Sequence, residues 1–237
     1  MKVLGKTGAL FAVLFLLCAP EGFAWQWPDT GQAKCYDNEV EIACPASGEA
    51  FYGQDAQYQG PTRSYTKLAL NGVALPDAAT QGDGWLMTRD NVTGLVWEMK
   101  TSDGSIHDRT RKFTWCDTNP ATNGGNQGTC GTATGAAATD TQAFIRALND
   151  AQFGGYSDWR LPSIKELLSL VDLGAMFPSI DDAWFPNTVS SSDARYWSST
   201  TSAKYASDVW LVYFTEGSGS YFFKSDKYYV RAVRVGQ

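Results

Sequence analysis

Apolar and polar positions change their spacing along this chain, and each change outlines an element. Between Asp140 and Ala151, apolar residues fall at Phe144, Leu148 and Ala151 with Ala147 alongside, which is helical spacing. The stretch GGYSDWRLPSIKELLSLVD, Gly154 to Asp172, predicts a second helix together with its stop and its cap. Gly154-Gly155 ends what precedes it, Trp159 to Leu161 reads as a short extended piece, and Pro162 keeps the residue before it out of the helical region. Ser163 stands three residues before Glu166, a capping box, and Leu161 with Leu167 suggests a hydrophobic staple. The helix is expected from Ile164 to about Val171.

Strand patterns flank these helices. Trp85-Leu86-Met87 and Leu95-Val96-Trp97-Glu98 predict two strands joined by a turn over Asp90 to Gly94, and Asn71-Gly72 predicts a tight hairpin between Lys67-Leu68 and Val73-Ala74. After the helices come Trp197, DVWLVYF, YFF and YYVRAVRV, separated by turn residues at Glu216 to Gly219 and Ser225 to Lys227. They read as one antiparallel meander. In DVWLVYF, Trp210, Val212 and Phe214 share one face, and Leu211 and Tyr213 share the other. With the first group inward, Tyr213 points outward. Strands, two helices, then strands is an α+β arrangement.

Composition adds compartment and partners. Lys2 and Lys6, the apolar run Ala9 to Cys18 and the small residues Gly22 and Ala24 read as a signal peptide over residues 1–24, which places the protein outside the cytoplasm, secreted or at the cell surface. Without it, 17 basic and 24 acidic side chains leave a net charge of −7. Such a chain is a poor nucleic-acid binder. No later apolar run is long enough for a transmembrane helix. Residues 25–80 are expected to be a β/loop extension packed on a main domain of residues 81–237.

Four cysteines remain: Cys35, Cys44, Cys116 and Cys130. They allow three connectivities, and an exported chain is expected to bridge them. Cys35 with Cys44, inside the hairpin-like CYDNEVEIAC, and Cys116 with Cys130, across the Gly/Thr/Asn/Ala-rich loop from Asp117 to Thr139, each close a short loop. His107 is the one histidine and reads as a solvated loop residue, so a nucleophile has no ready base. Asp181-Asp182 reads as solvated or turn-forming. Trp85, Trp97, Trp159, Trp197 and Trp210 read as core. Tyrosine among small polar residues, by contrast, is the composition of adaptable binding surfaces, and Tyr205, Tyr213, Tyr221 and Tyr228 have such neighbours.

DNVTGLVWE, FGGYSDWRLPSIKEL, FPNT, YWSST, VWLVYF and YYVRAVR occur in this order, and together they resemble the Lcl C-terminal domain family over roughly residues 85–235. The resemblance implies a C-type-lectin-like core, two helices packed on a small antiparallel sheet. It also implies kinship in fold with formylglycine-generating enzymes. The best-understood member is a bacterial surface adhesin that binds sulfated glycosaminoglycans. In this fold neighbourhood Asp90, Asp103, Asp108 and Asp181 are candidate calcium ligands, although no segment has the DxDxDG spacing; no other cofactor is implied. Two departures stand out. Ile145 and Ala232 occupy positions where many members carry cysteines, as if packing replaced a bridge, and Lys204, Lys224, Lys227, Arg231 and Arg234 are scattered rather than clustered. The last forty or so residues also resemble the variable region of proteins diversified by retroelement-driven mutagenesis.

The expectation is an exported, non-catalytic, adhesin-like protein that binds a glycan or protein ligand through its C-terminal strands and loops. Tyr205, Tyr213 and Tyr221 are the candidate contact residues, with Lys204 and Lys224 adding charge. The alternatives are an extracytoplasmic enzyme, of formylglycine-generating or other type, and a structural envelope component.

Overall fold

A computed structural model describes residues 26–236; the expected signal peptide lies outside them. Among the described residues, nine strands and two α-helices form a mixed α+β architecture with three antiparallel sheets. The first sheet pairs β1 (Cys35–Tyr36) with β2 (Glu41–Ile42) and is closed by the Cys35–Cys44 disulfide. The second runs in the order β3 (Tyr65–Leu68), β4 (Met87–Asp90), β5 (Leu95–Glu98), β9 (Val233–Val235). The third is a meander of β6 (Arg195–Thr201), β7 (Asp208–Tyr213) and β8 (Ser218–Phe223).

The C-terminal meander therefore stops one strand short of the expectation. Tyr228 and Tyr229 run beside Phe113 and β6, and the chain then crosses to pair β9 with β5. This crossing segment stitches the two larger sheets together. The Asn71-Gly72 turn is real, with both residues at positive φ, but the reversal makes only the single Leu68–Ala74 bridge. The partner of β3 is β4, so residues 65–68 of the extension form the edge of the main sheet.

Helix α1 (Thr141–Asp150) is capped by Asp140, whose carboxylate accepts the Ala143 N–H at 2.9 Å, and it buries Phe144 and Leu148. Ala151, the third expected apolar contact, is exposed. Helix α2 (Ile164–Leu168) is shorter than expected but carries the full Ser163–Glu166 capping box. Burial alone would raise the Glu166 carboxyl; Arg160 and the Ser163 N–H outweigh it and hold it below its usual range. The expected staple is absent. Leu161 packs on one core cluster while Leu167 belongs to the other.

Two hydrophobic clusters fill the interior. One gathers Trp115, Phe144, Leu148, Trp159, Trp197 and Leu211, and the other Trp97, Leu167, Leu170, Tyr196, Val212 and Phe214. Strand β7 contributes alternate residues to both, so both of its faces are covered along most of its length. Ala232 lies in the first cluster and Ile145 packs against it, which fits packing in place of a bridge. Among the described residues, no helix is long and apolar enough to cross a membrane.

Candidate functional site

Register places the aromatic residues of the last third. Trp210 on β7 faces Tyr221 on β8, and Asp208 faces Phe223. Alternation puts Trp210, Val212 and Phe214 on one side of β7. Helix α2 packs over β6 and β7, with Leu168 close to Gly219. Val212 and Phe214 are fully buried, while Trp210 is only half-buried. The expectation that Trp210 belongs to the core is corrected on this point.

What remains open is an aromatic face. The Trp210 and Tyr221 rings meet edge to face at 5.3 Å, and Tyr205, on the turn between β6 and β7, approaches Tyr221 at 6.0 Å. The Lys204 ammonium sits 4.9 Å from the centre of the Tyr205 ring. Tyr205 is 42% exposed, Tyr221 38% and Phe223 60%. No residue among those described takes a hydrogen bond from, or gives one to, the Tyr205 and Tyr221 hydroxyls. Strand pairing sets the Trp210 and Tyr221 backbones side by side, and the edge-to-face contact of their rings reduces the side-chain entropy that opposes a contact there. Phe223, not among the expected contact residues, shares this face; its i+2 spacing from Tyr221 on β8 was the available signal.

Two of the five predicted contact residues lie elsewhere. Tyr213 does not face outward. It packs half-buried on the opposite side of β7, its hydroxyl bonded to Arg195, whose guanidinium lies 4.5–5.1 Å from the Tyr213, Phe222 and Tyr228 rings. Lys224 is buried. Its ammonium donates to the Asn123 and Asn126 carbonyls at 2.9 and 2.6 Å and lies 4.2 Å from the Trp115 ring. It thus pins the 117–139 loop, which is further closed by the Cys116–Cys130 disulfide. Gly124, at φ +62°, lies so close to Thr201 that a Cβ would meet it at 2.7 Å. Arg231 and Arg234 are buried too: Arg231 donates to the Glu98 carbonyl and Thr188, and Arg234 to Asp158. Of the five scattered cations only Lys204 and Lys227 remain exposed.

Burial pushes the Lys224 ammonium down to about 8, against the smaller opposing pull of Asp117 and Asp208. Between pH 8 and 10.5 the unfolded chain then holds this proton more tightly than the folded one, so the lysine's contribution to stability rises with pH. Urea midpoints of the protein relative to Lys224→Met are expected to climb across that window. Amide exchange around Asn123 to Asn126 should quicken in the variant. A pH-independent difference would remove this role.

His107 is not solvated. Its Nδ1 lies 2.8 Å from a buried Glu98 carboxylate oxygen, and its ring stacks on Phe153 at 4.1 Å. The candidate calcium ligands each serve a turn: Asp90 accepts the Val92 N–H, Asp103 that of Ser105, Asp108 those of Gly104 and Thr110, and Asp181 that of Ala183. Among the described residues no three acidic, histidine or cysteine side chains gather in a metal-ligand cluster.

Residues 86–234 match the family model described as the Lcl C-terminal domain. No curated protein matches the chain.

Proposed function

The chain belongs to the Lcl C-terminal domain family, and from that premise we propose that it is an exported, non-catalytic recognition protein on a C-type-lectin-like core. The proposal places the ligand, a glycan or a protein, on the C-terminal strands. The observation that carries it is the exposed face of Tyr205, Trp210 and Tyr221 with its unpartnered hydroxyls. Exposed rings offer stacking area and hydroxyls offer direction, a combination found at binding hot spots. Two disulfides suit an oxidising compartment. Thiol oxidase chemistry gains no support, since Cys35, Cys44, Cys116 and Cys130 are all bridged.

The test is binding of the mature protein to a glycan array and to intact cells, followed by a Tyr205→Ala/Tyr221→Ala variant. A loss of about tenfold or more in affinity is expected. Tyr213→Phe, which removes only the hydroxyl bonded to Arg195, is the control and should bind normally. Unchanged binding by the double variant removes this face from consideration.

A further inference from the structure

A second concavity, built by different residues, lies beside α1. It is a cleft of about 520 Å³ whose apolar wall comes from Trp115, Ile145 and Leu161. Arg160, Asp117 and Ser199 supply its polar groups. The walls are held in place within the chain. Thr141, fully buried, accepts the Cys116 N–H and donates to the Cys116 carbonyl. Gln142 accepts the Thr118 N–H at 2.9 Å and donates to the Thr118 hydroxyl at 3.0 Å. The Cys116–Cys130 bridge closes the same loop.

Arg160 is half used. A guanidinium has two forks on its outer edges, each able to grip a carboxylate with two parallel hydrogen bonds. The Nη1/Nη2 fork holds both oxygens of Glu166 at 2.7 and 2.6 Å, and the other Nη1 hydrogen reaches the Leu161 carbonyl at 3.2 Å. The Nε–H and the remaining Nη2–H, which form the second fork, have no partner among the described residues, and the side chain is 42% exposed. Asp117 also lines the cleft. Its carboxylate accepts the Asn119 N–H and the Thr122 hydroxyl, one on each oxygen. An ionised carboxylate has about four acceptor sites, so roughly two stay open.

A free carboxylate-gripping fork, an acidic group with spare acceptors and an apolar wall call for a ligand with one anionic end, one cationic end and a greasy body. We infer that this cleft binds a small apolar zwitterion, an amino acid or dipeptide with aliphatic side chains. Its carboxylate sits on the open fork of Arg160, its ammonium on Asp117, and its side chain on Ile145 and Leu161. This site is independent of the tyrosine face and stands or falls separately.

Titration of the folded protein by calorimetry, with leucine and leucylleucine as probes, tests it and separates the two sources. Leucinamide lacks the carboxylate and N-acetylleucine lacks the ammonium; each should bind about tenfold or more weakly than leucine. Arg160→Lys keeps the charge but loses the second fork, and should narrow the preference for leucine over leucinamide without removing the part that charge alone supplies. Asp117→Asn should erase the preference over N-acetylleucine. Because Arg160 also braces Glu166, Ile145→Trp serves as a variant that fills the cleft without touching either charge, and it should abolish binding. Saturable binding absent up to about 10 mM, equal affinity for leucine and its two blocked forms, or survival of binding in Ile145→Trp would overturn the assignment.

Discussion

Replacing Glu98 by alanine is expected to cost about 3–5 kcal/mol of folding stability at pH 7, because it strips a buried cation of its partner. Glu98 is fully buried on β5. One carboxylate oxygen receives Lys100 at 3.0 Å and faces His107 at 2.8 Å, and the other accepts the Ala232 N–H at 3.0 Å. Burial alone would raise this carboxyl, but the Lys100 ammonium, His107 and the Ala232 amide outweigh it and hold it near 2. Lys100 is equally enclosed, and its burial lowers its own pKa against the pull of Glu98. Removing the acid leaves that ammonium without its bonded counter-charge, with only the weaker pull of Asp108 remaining, in a medium that solvates it poorly.

The pH dependence follows from the depressed carboxyl. Its stabilising contribution is fully present above about 4.5 and disappears as pH falls from there toward 2. Urea unfolding of the protein and of Glu98→Ala at pH 7, 4.5 and 3 should show two curves converging in acid. The pair Glu98→Gln with Lys100→Met should recover most of the loss at pH 7, since an apolar replacement for the cation needs no counter-charge. A single-variant loss under about 1 kcal/mol, the scale of a surface ion pair, would show that water reaches the network.

Removing the Cys116–Cys130 bridge is expected to cost about 3 kcal/mol, the chain-entropy value for a loop of its 14-residue separation. The loop it closes is the one Lys224 pins and the one that carries Asp117, so the whole domain should feel the change in its unfolding midpoint. The Cys35–Cys44 bridge, with a separation of 9, has a similar entropy value but a different setting. Among the described residues, neither core cluster contains one before Tyr65. Alanines at Cys35 and Cys44 should therefore loosen the small β1–β2 sheet in hydrogen exchange while leaving the main transition nearly in place. Equal shifts of the main midpoint for the two disulfides would contradict this division.

Legibility differed sharply between local and distant features. The capping box at Ser163 and Glu166, the α1 helix after Asp140, the pairing of β4 with β5 (though β4 begins at Met87, where the expected strand ended) and both disulfide pairings were readable from the chain, because each joins residues close in sequence whose chemistry demands one geometry. The candidate face was half readable. Tyr205, Tyr221 and Lys204 do come together, but Tyr213 and Lys224 were assigned to the surface from composition that suits either side of a strand. A lysine amid Phe, Ser and Asp gives no hint that two carbonyls about a hundred residues earlier await it.

The α+β order of elements, the capped helices and the short-range bridges follow from residues near one another in the chain, since helix caps, turns and alternation are local physics. Which side of each strand meets water depends instead on how distant elements pack. Strand β7 looks two-faced in sequence, yet neighbours on both sides cover most of it and leave Trp210 open at one end. The crossing of the last segment from β6 to β5, and the burial of Glu98 against Lys100 and His107, depend on contacts between residues far apart in the chain, whose energies appear only once the sheets have packed.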